Sequence, residues 1–272
     1  MLQGMPKAAK ILEKKQLNEQ VYEYVVDISL GALPGQFVNM WIPGVDEKPF
    51  SVAYDDGHQM TFAIAVIGPF SKHLAENVKI GDKVGIRGPY GTVNRIPSNC
   101  NVATVAGGYG AAPLYFFAEA CVKNGCKVDF IVGARNAGFL LYLDRASALD
   151  GVTVHIATDD GSEGHKGYCT QILEKLADEK EIKFIATCGP ELMMQAVMKI
   201  AEPRGIDCDI SVERYMKCGI GVCGNCSVDG TGEPSCINGP VMSLEHVKKL
   251  TDFGEYHRDS VGNKVYWRRA AK

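Results

Sequence analysis

Cys218, Cys223 and Cys226 stand in a C-x4-C-x2-C run, and Cys236 follows after a short loop. Thiolates are soft ligands suited to iron, and such bunching lets one loop wrap a small cluster. Three grouped cysteines with a fourth set apart form the plant-type pattern for a [2Fe-2S] cluster. Gly219, Gly221 and Gly224 interrupt the run; glycine removes side chains where the backbone must turn its amides toward sulfide. Structural zinc is the competing reading, but it usually pairs two C-x2-C knuckles across a long gap. Unligated or disulfide-bonded cysteines are the remaining alternative. The spacing points to a chain that moves electrons, with Cys218, Cys223, Cys226 and Cys236 as the ligands.

Other chemistry-bearing residues fall where strands are expected to end. Gly107-Gly108-Tyr109-Gly110-Ala111-Ala112-Pro113 sits between a strand and a helix. That placement bares backbone amides and a positive helix end to a pyrophosphate, although a glycine turn without a ligand reads the same way. Asp159-Asp160-Gly161-Ser162 and Cys188-Gly189-Pro190-Glu191 follow two further strands. In a parallel sheet such loops converge on one carboxyl edge. The acidic pair suits ribose hydroxyls and repels a 2′-phosphate, which favours NAD over NADP; it also suits an ordinary capping turn. Earlier in the chain, Lys48-Pro49-Phe50-Ser51 opens a strand, and Gly68-Pro69-Phe70-Ser71 precedes a short helix. A lysine and a serine near a helix N-terminus can hold a pyrophosphate, yet surface lysines and buried phenylalanines are common.

The elements that must position these residues change rhythm along the chain. Residues 21–28, 36–42, 60–66 and 83–87 are rich in β-branched and aromatic residues, with turn material between them. They predict a small antiparallel β-barrel, with one short helix over 71–77 and an end to the last strand at Gly88. The polar segment from Asn94 to Asn101 is the natural linker. Strands over 101–106, 127–133, 152–158 and 182–187 then alternate with helices at 111–124, within 167–177 and at 191–202. That alternation predicts a Rossmann-like parallel α/β sheet. The reading is therefore α+β multidomain: 1–98 barrel, 99–206 α/β domain, 207–243 a small cluster domain, and 244–272 a tail. The tail has a helical stretch at 244–250. Beyond it, Tyr256, His257, Tyr266 and Trp267 suggest a partner contact or a strap over the barrel.

Composition is that of an ordinary globular protein. Of 272 residues, 46% are hydrophobic and 22% charged, and the net charge is −3, which gives no reason to invoke nucleic acid. No apolar stretch is long enough to span a membrane, and no signal-peptide core follows the first lysines. Six of the ten cysteines are scattered without a repeat, as expected of a reducing cytoplasm.

With these motifs in this order, the chain resembles the electron-transfer subunits of NAD-dependent, two-component dihydroorotate dehydrogenases, within the ferredoxin–NADP reductase superfamily. The likeness runs over roughly residues 8–243. Lys48 to Ser51 resembles the superfamily's R-x-Y/F-S strand for FAD. Gly107 to Pro113 resembles G-G-x-G-x-x-P for nicotinamide dinucleotide, and Cys188 to Met193 resembles C-G-P-x-x-M. Residues 159–167, Glu213-Arg214-Tyr215-Met216-Lys217 and Cys236-Ile237-Asn238-Gly239-Pro240-Val241 resemble the subunit's own marks. The resemblance implies FAD against Lys48, Pro49, Phe50, Ser51, Val66, Gly68, Ser71 and Gly91. It implies NAD against Gly107, Gly108, Gly110, Ala112, Pro113, Asp159, Asp160, Gly189, Pro190, Glu191 and Met193, with Cys188 positioning nicotinamide and not acting as a nucleophile. Two departures stand out. Lys48 replaces an arginine and loses its bidentate fork, and Phe70 occupies a position where the family has glycine.

Nicotinamide gives up hydride, two electrons together, whereas the cluster takes one, so a flavin must stand between them. The resemblance further implies an FMN-bearing dihydroorotate dehydrogenase catalytic subunit as partner, in a heterotetramer of two chains of each kind. A subunit feeding a hydrogenase, a sulfite reductase or a ferredoxin-type complex is the alternative.

Overall fold

The computed structural model describes residues 4–267, so the last five residues of the expected tail and the first three of the N-terminal unit lie outside it. Strand β1 (Lys7–Gln16) is mostly charged, but Ala9 and Ile11 alternate inward and are buried. It is followed by β2 (Val21–Val26), β3 (Phe37–Ile42), β4 (Asp46–Ser51), β5 (Tyr54–Asp55), β6 (Met60–Ala65), helix α1 (Pro69–Asn77) and β7 (Lys83–Tyr90). These strands form one antiparallel sheet in the order β4-β3-β7-β1-β2-β6-β5. β1 turns its corner: Lys7 to Lys10 pair with β7, whereas Ile11 to Gln16 pair with β2, with a register irregularity between Ile11 and Glu13. The end strands β4 and β5 are separated in the chain only by Val52 and Ala53, whose amides donate to Gln36 O (3.0 Å) and Thr61 O (2.9 Å). Tyr24, Met40, Met60, Phe62, Ile64 and Ile86 fill the inside, and Leu74 of α1 packs with them. Lys14 Nζ reaches Ala75 O (2.6 Å) and Val78 O (2.7 Å), placing a cation on the carbonyl end of α1.

β7 does not stop at Gly88. Tyr90 still pairs with Phe37, and a bulge between Phe37 and Asn39 absorbs the Gly88-Pro89 step.

The second unit contains β8 (Asn101–Gly107), α2 (Ala111–Lys123), β9 (Lys127–Ala134), α3 (Leu143–Ser147), β10 (Val152–Thr158), β11 (His165–Lys166), α4 (Cys169–Glu179), β12 (Ile182–Cys188), α5 (Glu191–Ala201) and β13 (Asp207–Ser211). Its sheet runs β11-β10-β9-β8-β12-β13-β14, where the last strand is β14 (Val241–Ser243). All neighbours are parallel except β14, which returns antiparallel beside β13. The sheet therefore continues past residue 206, and its edge is finished by a strand that follows the cysteine loop. Phe117, Phe130 and Phe184 pack on one face, and Leu173, Ile185 and Val197 on the other. Strand order reverses between β8 and β12, which makes their carboxyl ends the crevice of this fold.

Between β13 and β14 the chain makes a cysteine-bearing excursion with one short helix, α6 (Ser235–Asn238). After α7 (Leu244–Val247), β15 (Tyr256–Arg258) and β16 (Lys264–Tyr266) form a hairpin. The hairpin lies over the excursion. Tyr256 Oη and Arg258 Nη2 donate to Asp229 (2.6 and 2.8 Å), and Lys217 and Asn225 donate to Ser260 O (3.4 Å each). The aromatic tail is thus a strap whose hydrogen bonds go to the cysteine loop.

Candidate functional site

Backbone amides in the cysteine loop point at sulfur. Cys218 Sγ accepts from Ile220 N and Cys223 N (3.5 Å each), and Cys236 Sγ accepts from Gly221 N (3.2 Å). Gly221 has φ +74°, and a Cβ there would come within 2.9 Å of Ile237, so the turn that aims its amide needs glycine. Burial pushes the Cys218 thiol up, but the amides of Cys223 and Ile220 outweigh it and bring the thiol down to about 6. A ligand that must be a thiolate benefits from such donors. Cys236 is pushed up to about 12, by burial and by its neighbour Cys226. Among the described residues no three metal-binding side chains converge on one ion-sized point.

The inner side of this loop is built into the first sheet. Phe37 and Tyr90, with ring centres 5.7 Å apart, pack with Met216, Cys226 and Cys236. Asn39 Nδ2 donates to Lys217 O (3.0 Å). Ile220, Val222 and Cys223 at the other side are exposed. Gly91, expected against a cofactor, instead lies under the returning chain: a Cβ there would come within 2.6 Å of Pro240.

At the switch point the loops after β8 and β12 touch. A Cβ on Gly110 would lie 2.2 Å from Cys188 O, and one on Gly107 would lie 2.4 Å from Pro190 and 3.0 Å from Met193 Sδ. Gly107, Gly110, Gly189, Pro190 and Met193 are thus brought together by backbone packing, and Ala112 is buried behind them. Gly108 differs: at φ +54° it faces open space, and α2 begins beside it without a side-chain cap. Ser51 of β4 and Cys188 of β12 line one narrow cleft, together with Pro113, Asn94 and Ser211. Burial pushes the Cys188 thiol up to about 12, with Ser211 only partly opposing it.

Asp159 and Asp160 are exposed at the end of β10. Asp160 accepts from Ser162 N (2.9 Å), and its hydrogen bonds with Ser162 hold its carboxyl below the usual range. Beside them stands Arg135, directly after β9, with its guanidinium 4.1 Å from the centre of the Phe139 ring. Sequence reasoning missed this cation; its signal was a basic residue immediately after a strand end.

Several expected side chains already have partners. Lys48 Nζ is paired with Asp46 (2.5 Å) and lies 6.0 Å from the Tyr215 ring centre. Pro49 sits within β4 opposite Asn39, and Phe50 packs on Phe70 (5.8 Å). Ser71 Oγ accepts from Ile67 N and Gly68 N (3.0 and 3.1 Å) and donates to Gly68 O, so its hydroxyl holds the turn that leads into α1. Val66 N is tied to Gln20 O, which leaves Ile67 and Gly68 as the open part of that loop.

Glu191 departs furthest from its expected role. It is buried, and its two oxygens accept from Arg214 Nη1 (2.7 Å) and Gly254 N (2.6 Å); Arg214 Nε also donates to Asp252 (2.9 Å). Both oxygens of Glu191 are therefore engaged within the protein. Arg214 joins the crevice helix, the entry to the cysteine loop and the tail. Glu213 beside it was also missed: burial, then Glu191, hold its carboxyl above the usual range.

These units agree with known proteins. Residues 104–199 match the oxidoreductase NAD-binding domain, and residues 213–248 match the iron-sulfur cluster binding domain of dihydroorotate dehydrogenase B. A Methanocaldococcus jannaschii protein described as "probable dihydroorotate dehydrogenase B (NAD(+)), electron transfer subunit" is 42% identical over 262 residues, 96% of this chain and 99% of that one. The chain belongs to this family of electron-transfer subunits. A Methanothermobacter thermautotrophicus protein of the same description is 38% identical over 97% of this chain and 98% of its own. Among solved structures, one of the NADH-dependent reduced ferredoxin-NADP oxidoreductase superposes with a TM-score of 0.80 at 28% identity, covering 90% of each chain. A ferredoxin NADP+ reductase from Neisseria gonorrhoeae shares the fold (TM-score 0.64, 19% identity, covering 73% of this chain and 91% of that one). This family member is an oxidoreductase subunit that works with a catalytic partner.

Proposed function

We propose that this chain passes electrons between NAD and a dihydroorotate dehydrogenase catalytic subunit carrying FMN, in pyrimidine biosynthesis. The observation that carries the reading is the meeting of three units: Ser51 and Cys188 share a cleft, and Phe37 and Tyr90 of the same first sheet pack on Cys226 and Cys236. In this reading the first sheet acts as a barrel that holds FAD along β4 and the loop at Val66–Gly68. Gly108 and the start of α2 take the NAD pyrophosphate, Asp159 accepts from a ribose hydroxyl, and Cys218, Cys223, Cys226 and Cys236 hold a [2Fe-2S] cluster. A bound flavin would supply the exchange between two-electron hydride and single-electron chemistry.

The chain's own residues supply the rest. The touching loops at Gly110 and Cys188 fix the crevice floor, the neutral Cys188 thiol orients the nicotinamide, and the amides of Gly221, Ile220 and Cys223 steady the sulfurs. The exposed tip at Ile220, Val222 and Cys223 is where the partner would dock, in an assembly of two chains of each kind, in the cytoplasm. The likeness to an NADH-dependent ferredoxin-NADP oxidoreductase supports the electron-transfer architecture without favouring another partner. The test is reconstitution. The purified chain should contain FAD and reduce artificial acceptors with NADH, yet oxidise dihydroorotate only after the FMN-bearing partner is added. Dihydroorotate oxidation by the chain alone, or FMN in place of FAD, would overturn the reading.

A further inference from the structure

Far from the crevice, at the opposite edge of the parallel sheet, Cys100 and Cys126 face each other with their Sγ atoms 4.0 Å apart. Each immediately precedes a strand. Asn101 and Lys127, the next residue of each, are register partners, and Lys127 N donates to Cys100 O (3.0 Å). The two cysteines therefore occupy equivalent positions on adjacent parallel strands, which run about 4.8 Å apart. That spacing falls within the Cα separation of about 4.4–6.8 Å that a disulfide accepts. Cys100 is half-buried and Cys126 buried, an asymmetry that gives a reagent one point of entry. Cys126 Sγ donates to Pro97 O (3.3 Å), which ties the pair to the linker between the two sheets.

We propose that Cys100 and Cys126 form a reversible disulfide site, closed by exchange with a small-molecule disulfide. The Cys100 thiolate attacks one sulfur of the reagent, forming a mixed disulfide and releasing one thiolate. Cys126 then attacks Cys100 Sγ, the mixed bond breaks, and the second reagent thiolate leaves. Two protein thiols are oxidised, one disulfide is reduced to two thiols, and the two thiol protons pass to the released thiolates. Burial and the adjacent Cys126 hold the Cys100 thiol above its ordinary range, and only Lys183 opposes them; Cys121 on α2 is the third thiol nearby. Closure is therefore slow and favoured by mild alkali. The site lies about 23 Å along β8 from the glycine loop, taking seven residues at about 3.3 Å each. Its effect is to staple the starts of β8 and β9, and the crevice chemistry stays as it is.

The experiment treats the cluster-loaded full chain with oxidised glutathione near pH 8.5, close to the ordinary thiol pKa, while visible absorption reports that the cluster is intact. Trypsin then releases residues 96–123, which carry Cys100 and Cys121, and residues 124–127, which carry Cys126. The expected result is a disulfide-linked pair of these peptides in the wild type and in Cys121→Ser, absent in Cys100→Ser. It should come with a thermal midpoint raised by several degrees that dithiothreitol reverses. A linked pair that persists in Cys100→Ser would overturn the assignment, as would a glutathione adduct that stops at Cys100 or the absence of any linked peptide.

Discussion

The cysteine loop and the strand expected to hold the flavin are built on opposite plans. In the loop the candidate residues would themselves be the ligands, and the surrounding backbone turns amides toward Cys218 and Cys236. Along β4 and α1 the candidate side chains are already satisfied within the protein: Lys48 by Asp46, Phe50 by Phe70 and Ser71 by the amides of Ile67 and Gly68. A metal site must keep its donors free for the metal. A large organic cofactor can be held by shape, backbone and a few side chains that also serve the fold. Side-chain substitutions should therefore act on binding in the first region and on folding in the second.

The largest expected effect is on the loop. Cys223→Ser should take iron and acid-labile sulfide from about two each per chain to near zero, while far-ultraviolet circular dichroism stays close to that of the wild type. Zinc at one equivalent without sulfide in the wild type would break the comparison at its first term.

Arg214→Met comes next, because it leaves Glu191 and Asp252 as buried carboxylates without their shared cation. Removing one partner of a buried ion pair costs about 3–5 kcal/mol, so the denaturation midpoint should fall sharply. A loss well under 1 kcal/mol would mean that Glu191 is free for a ligand after all.

Ser71→Ala sharpens the contrast further. Loss of the hydrogen bonds that hold the turn into α1 costs about 1 kcal/mol, and this should be seen in thermal melts with little change in flavin affinity. If the flavin is lost at unchanged stability, Ser71 is a ligand and not a turn-holding residue. Lys48→Ala should have the smallest effect, weakening flavin retention by less than about 1 kcal/mol in equilibrium dialysis. Its charge already has Asp46, and half-exposed pairs of this kind contribute little.

The sequence read best where the chemistry is local. The C-x4-C-x2-C run, the glycine loop after β8 and the alternation of strands with helices were all visible in short windows, and the structure places them as expected. β1 escaped because its inward side is only Ala9 and Ile11 among four lysines and a glutamate. β13 escaped because Asp207-Cys208-Asp209-Ile210-Ser211 lacks an apolar run. Its buried Asp209 is explained by Arg95 and Asn94, more than a hundred residues earlier in the chain. The misreading of Glu191 has the same origin: its partners, Arg214 and Gly254, are distant in sequence, so a buried structural carboxylate looked like a loop residue free to meet a ligand. The clamp at Asp252 and the strap over Asp229 could not be read for that reason either.

The two ends of the cysteine excursion are fastened side by side. Ser211 pairs with Val241, and Val212 N donates to Pro240 O (2.8 Å). The excursion therefore leaves the parallel sheet and returns to it at a fixed mouth held by the sheet itself. This bears on the order of biogenesis. None of the hydrogen bonds that close this mouth involves a cysteine sulfur, so on the proposed reading the berth can form before the cluster is delivered. The strap carrying Ser260 is the last described part of the chain to leave the ribosome. It can close over the loop only after the residues that precede it have been made.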